Sequence, residues 1–276
     1  MAYPLITDSG DQFNGRIRVH SDRLSIPLKR KKPAVYAVWN DLHHKDVPYT
    51  FRDNAYWTML GCDRHTYLIL TKRPEEMLAY LKSCTLPGWS KDHIWHGLTV
   101  CNQQEADEKI PIFLQIPGKK FLSIEPMLGR TNIAKYIRHI CGLCDKPRGG
   151  DECLPDYNCL PAMSPRRIDA VVLGGETGPG ARPINPSWVR AIREQCKVAG
   201  VPFYFKHWGE WAETDVFAER DLGDDMRRDK VRIVKRDGDN DGNIRKGDAL
   251  MRRVGKKAAG RLLDGRTHDD LPWVKP

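Results

Sequence analysis

Polar and charged residues follow short apolar runs at six points of this 276-residue chain. Asn40 and Asp41 follow the run at 34–39, Lys72 and Arg73 the run at 65–70, and Asn102 the run at 94–100. Glu125 follows 120–124, Glu176 follows 170–175, and Lys206 and His207 close 201–205, with Arg182 in a glycine-rich loop beyond Glu176. Carboxylates such as Glu125 and Glu176 accept hydrogen bonds from a ligand amine or ribose, while Lys72, Arg73, Arg182 and Lys206 neutralise carboxylate or phosphate. Gly174-Gly175 leaves room for a ligand to approach the backbone. Each residue alone reads equally as a solvated loop charge; as a group they read as a ligand site, provided the runs end on one rim. Trp208 and Trp211 are read equally as walls of that site or as core.

A second constellation is the spacing C-x2-C-x8-C-x5-C formed by Cys141, Cys144, Cys153 and Cys159. Four thiolates this close can wrap a tetrahedral zinc ion, closed and structural rather than catalytic, with glycines and prolines at 142–155 supplying the turns. An iron–sulfur cluster and an unligated loop of free thiols are the alternatives. Cys62, Cys84, Cys101 and Cys196 are scattered and read as ordinary thiols. P-loop, nucleophile-elbow and HExxH patterns are absent from the sequence.

The elements that must position these residues follow from the apolar runs. Strand starts fall near 34, 66, 93, 120, 168 and 201. Most intervals are about thirty residues, the length of a strand plus the helix a parallel crossover needs. Each run is short and apolar enough for a strand buried on both faces. Six consecutive units predict an α/β fold, a partial TIM-like (β/α)6 barrel over 1–211, with residues 139–165 as a small metal-binding insertion. The barrel puts all the strand-end residues named above on one rim. Residues 212–248, rich in Asp, Arg and Gly, read as an excursion or lid. Leu250, Val254, Ala258 and Leu262 share a helical face, so 249–276 reads as a docking helix and tail.

Composition bounds the rest. The net charge of +9 favours polyanionic partners, a nucleotide or nucleic acid, although the basic residues are dispersed apart from the run at 29–32. The sequence has no apolar run of membrane-spanning length and no signal pattern at its start, so a cytoplasmic protein with no membrane partner is expected.

Several long motifs carry a family likeness: TKRPEEM at 71–77, NQQEADEKIPIFLQIP at 102–117, SIEPMLG at 123–129, GGETGPGARPINPSWVRAIREQC at 174–196, PFYFKHWGEW at 202–211 and VGKKAAGRLLDGR at 254–266. With these the chain resembles the phage and prophage family called gp thirty-seven / gp sixty-eight, a radical-SAM-like family of unknown function. The resemblance implies a partial βα barrel, and a cysteine-rich loop holding a [4Fe-4S] cluster that cleaves S-adenosylmethionine to a radical. This chain has no cysteine before Cys62, so the cluster ligands are not found in it. The chain is expected to start after that loop, with a separately encoded N-terminal cysteine-rich segment, a truncated or split gene, or a degenerate member as the explanations. Two functions follow. One is a radical-SAM-like protein, in the bacterial host cytoplasm if phage-encoded, binding a ligand at the rim. The other is a non-catalytic zinc-containing barrel that binds nucleic acid or a protein partner.

Overall fold

Six strands alternate with helices and lie side by side in sequence order. The computed structural model describes residues 17–83, 91–137, 167–214, 222–228, 230–237 and 245–274. The strands are β1 (Val35–Val38), β2 (Thr66–Thr71), β3 (Ile94–Thr99), β4 (Lys119–Ile124), β5 (Ala170–Gly174) and β6 (Phe203–His207). Each pairs in parallel with the next, giving the order β1-β2-β3-β4-β5-β6. A doubly wound sheet reverses its strand order at a switch point; this one does not, so the chain is a partial, half-barrel version of the α/β barrel. The sheet is curled. In a flat sheet β1 and β4 would stand about 14 Å apart, three strand spacings. Yet the Trp39 ring, just past β1, lies 6.5 Å from that of Phe121 on β4.

A one-turn helix α1 (Ile26–Lys29) precedes the sheet, and α2 (Tyr49–Leu60), α3 (Pro74–Ser83), α4 (Gln103–Phe113) and α6 (Pro186–Ala199) link successive strands. The one-turn α5 (Ala134–Ile137) follows β4. Strand alternation sends Tyr67, Ile69, Ile94, Leu98, Leu122, Val171, Leu173 and Phe205 to the helix-covered face, where they join Met77, Ile110, Val189 and Ile192 in the main core. The other face is concave and carries a smaller cluster, Leu68, Trp95, Phe121, Ala170 and Val172, against which Trp273 packs. Trp273 meets Trp95 at 5.1 Å and Phe121 at 5.4 Å. Phe121 in turn occupies the space above Gly97, where an added Cβ would stand 2.2 Å from its ring.

The free edge of β6 is covered, because Phe205 N donates to His268 O at 3.0 Å and Tyr204 bridges to Asp269. The helical reading of 249–263 does not hold. Ala249–Arg253 is strand β9, which pairs antiparallel with β7 (Trp211–Glu213) and β8 (Val231–Val234), in the order β7-β9-β8. Apolar spacing alone does not distinguish the two, but Ala249, Leu250 and Met251 are all buried in succession, as in a strand with both faces covered. Gly255 and Gly260, at φ of 85° and 67°, then confine the remaining helix to one turn, α8 (Lys256–Ala259). Within 212–248, read as an excursion or lid, lie the short helix α7 (Leu222–Arg227) and β8 of this small sheet. The insertion at 139–165, with all four of its cysteines, lies outside the described residues.

Candidate ligand site at the strand ends

Glu125 leaves the end of β4 on the concave side, by alternation from Phe121 and Ser123. Both of its carboxylate oxygens accept from Lys206 Nζ of β6 at 3.0 Å. Strand β5 lies between them, and the residue it presents there is Gly174, whose missing Cβ would stand 3.2 Å from Glu125 Cδ. His207 Nε2 lies 3.4 Å from Glu125 Oε1. Burial pushes the His207 pKa below its ordinary value despite the attraction of Glu125, which disfavours the charged ring and weakens this contact as an ion pair.

Glu176 and Arg182 form the second pair. Arg182 Nε and Nη2 donate to the two carboxylate oxygens and its backbone N to one of them, all at 2.8 Å. The bidentate fork holds the Glu176 carboxyl below its ordinary pKa and raises that of Arg182. Gly178 and Gly180, at φ of 95° and 75°, turn the loop back so that this six-residue return closes. The third group is Asp41, itself at φ 39°. Its carboxylate accepts from Thr71 Oγ1 at 2.6 Å and from Arg73 Nη1. Thr71 Oγ1 also accepts from Arg73 N at 3.0 Å, tying the ends of β1 and β2 together.

The remaining strand-end residues divide. Asn102 caps α4: its Oδ1 accepts from Glu105 N at 2.9 Å, while Glu105 Oε2 accepts from Cys101 N at 2.7 Å. Its acceptor is therefore occupied by the helix terminus. Asn40 and Lys72 are exposed and take no part in an ion pair or side-chain hydrogen bond with the described residues. The room at the two glycines goes to the protein itself rather than to a ligand. Gly174 lies under Glu125, and an added Cβ at Gly175 would stand 2.0 Å from Trp208 O. Trp208 and Trp211 are core residues, with indole N–H groups donating to Leu262 O at 2.8 Å and Ala181 O at 2.7 Å.

Three rim features carry little signal in the sequence. Thr71 reads as an ordinary strand residue. Trp39 reads as the last apolar residue of its run, although period-two alternation does place it with Ala37 and Val35 on one face. Cys101 stands beside Lys72 and Arg182, and burial with the Glu105 carboxylate pushes its thiol up to about 11, so it is a thiol and not a nucleophilic thiolate at neutral pH. Behind the sheet lies a buried polar group. His43 Nε2 meets Tyr56 Oη at 3.1 Å, and Tyr56 stacks towards His96 at 6.3 Å between ring centroids. Neither ring nitrogen of His96 has a hydrogen-bond partner among the described residues. Two surface hollows are lined by none of these carboxylate–cation groups. One, of about 450 Å³, includes Gln103, Asp107 and Lys135; the other, of about 480 Å³, includes Arg193, Asp264 and Arg266. Each contains an ion pair, Lys135 with Asp107 in the first and Arg193 with Asp264 in the second.

A family model described as a protein of unknown function (DUF5131) matches residues 4–272. The chain belongs to that family. No curated protein and no solved structure matches it. No helix among the described residues is long and apolar enough to cross a membrane.

Proposed function

We propose that this is a phage-type, radical-SAM-like protein that binds a small zwitterionic ligand at the C-terminal rim of the half-barrel. The observation that carries the reading is the convergence of three carboxylate–cation groups, Asp41/Arg73, Glu125/Lys206 and Glu176/Arg182, on one strand-end rim. Half-exposed pairs of this kind stabilise a fold by about 0–1 kcal/mol each, so stability alone gives little reason to assemble them. A ligand ammonium exchanges for Lys206 on Glu125, and a ligand carboxylate or phosphate takes up Lys206 or Arg182. The family resemblance names S-adenosylmethionine as such a ligand. The described cysteines do not fit a [4Fe-4S] cluster. Cys62 and Cys196 are buried at separate places in the outer core, Cys101 is at the rim, and among the described residues no three His, Cys, Asp or Glu side chains gather as a metal site. The proposed function is therefore binding, with no radical step assigned to this chain.

Calorimetry with S-adenosylmethionine, S-adenosylhomocysteine and methionine tests this reading. Glu125→Gln and Arg182→Gln are each expected to weaken binding by about tenfold or more, the range of a charge-assisted hydrogen bond. Absence of binding by the unaltered protein to all three overturns it. The net charge of +9 favours the second reading, a zinc-containing barrel that binds nucleic acid or a protein partner. There zinc held by Cys141, Cys144, Cys153 and Cys159 is structural, and unchanged zinc content in the Cys141→Ser, Cys144→Ser protein overturns that assignment.

A further inference from the structure

The rim pairs occupy β4 to β6 and the link between β1 and β2, but the concave wall at β1 carries a side chain that none of them uses. Trp39 is 51% exposed, although most other large side chains of the concave face are buried or half-buried. Its contact with Phe121 is edge-to-face, the planes at 81°, which fixes the tilt of the indole and covers at most one of its faces. Phe121 cannot easily move, since it is set into the gap at Gly97 and backed by Trp273. The indole is thus an aromatic surface presented to solvent on a concave wall and set against a firmly held Phe121 ring. Polar groups border it. Asn40 follows directly. Val38 pairs with Ile69, so Trp39 stands beside Leu70, and Lys72 leaves the neighbouring strand two residues further on, about 7 Å up the sheet. Lys72 is an exposed rim cation with no ion-pair partner among the described residues, unlike Arg73, Arg182 and Lys206.

We propose that Trp39 is the stacking platform for a nucleobase and that Lys72 takes the phosphate attached to it, forming a substrate subsite on the β1–β2 side of the rim. Every base offers a π-face to an aromatic ring, and the adjacent amide of Asn40 can donate to and accept from a base edge. A lone cation beside a platform suits one phosphate, and the protein's net charge of +9 favours a polyanionic partner. The subsite rests on the rim being a ligand site but involves a different part of it from the zwitterion pairs. Its ligand is a base on a phosphate-bearing sugar, supplied as a free nucleotide or as part of a single strand.

Titration of the full chain with adenosine monophosphate and with a short single-stranded oligonucleotide, read by tryptophan quenching and by calorimetry, tests the proposal. Trp39→Leu is expected to weaken the tighter of the two by about ten- to a hundredfold, the range of base–aromatic stacking, with Trp39→Phe retaining most of the affinity. Lys72→Gln is expected to flatten the salt dependence of oligonucleotide binding by about 0.7 in log–log slope. Trp57, exposed on α2 outside the concave face, is the control: Trp57→Leu binds as the unaltered protein does. A preference for the nucleotide or for the strand identifies the source of the base. Equal binding by the Trp39→Leu and unaltered proteins overturns the proposal, as does a result in which neither probe binds and Trp39→Leu instead dissolves a self-associated state. Trp39-dependent nucleotide binding without S-adenosylmethionine binding sinks the zwitterion reading alone; the converse sinks this one alone.

Discussion

Glu125 reaches Lys206 across an intervening strand, and Gly174 is what lets it do so. The two residues lie on β4 and β6, both carboxylate oxygens accept from one ammonium at 3.0 Å, and the β5 residue beneath has no side chain. A single Cβ at that position would stand 3.2 Å from Glu125 Cδ, so even Ala crowds the carboxylate and a branched residue displaces it. Gly174 has no positive φ, so its value lies in space and not in backbone freedom.

Gly174→Val therefore separates site from fold. The expected outcome is a folded protein by circular dichroism whose affinity for the rim ligand falls at least as far as that of Glu125→Gln. Gly174→Ala is expected to fall between the two and the unaltered protein. Retention of full affinity by Gly174→Val would show that the Glu125–Lys206 geometry is not needed for binding.

Gly97 provides a test of the concave wall. An alanine methyl there lies within 2.2 to 2.8 Å of three carbons of the Phe121 ring. Overpacking of this kind destabilises by about 1–3 kcal/mol. Gly97→Ala is expected to lower the midpoint of urea unfolding accordingly, and combining it with Phe121→Leu, which vacates the ring, is expected to cost less than the sum of the two single changes. Strict additivity of the two substitutions would refute the contact.

The buried histidines set a pH dependence. Burial lowers the pKa of His96 from 6.5 to about 3, with the Lys120 charge adding to it, and burial with the charges of His96 and Arg52 lowers that of His43. The unfolded chain takes up these protons below about 6.5 while the folded chain does not. Stability is therefore fully present above 6.5 and is lost as pH falls towards 3. His96 alone contributes a slope of about 1.4 kcal/mol per pH unit in the middle of that window, and His43 acts in the same direction. His96→Leu removes one of the protons and two ring nitrogens that have no partner among the described residues, so its unfolding free energy is expected to fall less steeply between pH 6 and 4. An unchanged slope would place the titration elsewhere.

The repeat of apolar runs disclosed the sheet because a strand buried on both faces must be apolar throughout, and a parallel crossover has a minimum length. Run ends near 40, 72, 125, 176 and 206 thus identified the rim without any knowledge of contacts. The sequence could not show how the rim charges are shared. Asn102 has the same chemistry as Asn40, yet it caps α4, because a helix starting at Gln103 exposes amides that its side chain satisfies. Gly174-Gly175 looked like room for a ligand, and only the packing shows that Glu125 and the Trp208 backbone fill it. The reading of 249–263 failed because Leu250 and Val254 keep both periods in so short a stretch, while the pairing of Ala249–Arg253 with β7 and β8 is non-local. Trp39 was legible as a strand residue, but its exposure depends on how strongly the sheet curls.

Trp273 has a consequence for how the protein is made. It packs on Trp95 and Phe121, which leave the ribosome far earlier, so all six strands are synthesised before the side chain that covers this part of their concave face exists. During that interval the nascent sheet presents an aromatic, non-local surface to the cell, the kind of surface that slows folding and recruits chaperones. Synthesis of the segment around Trp273 is then the step that turns this exposed aromatic patch into a packed one.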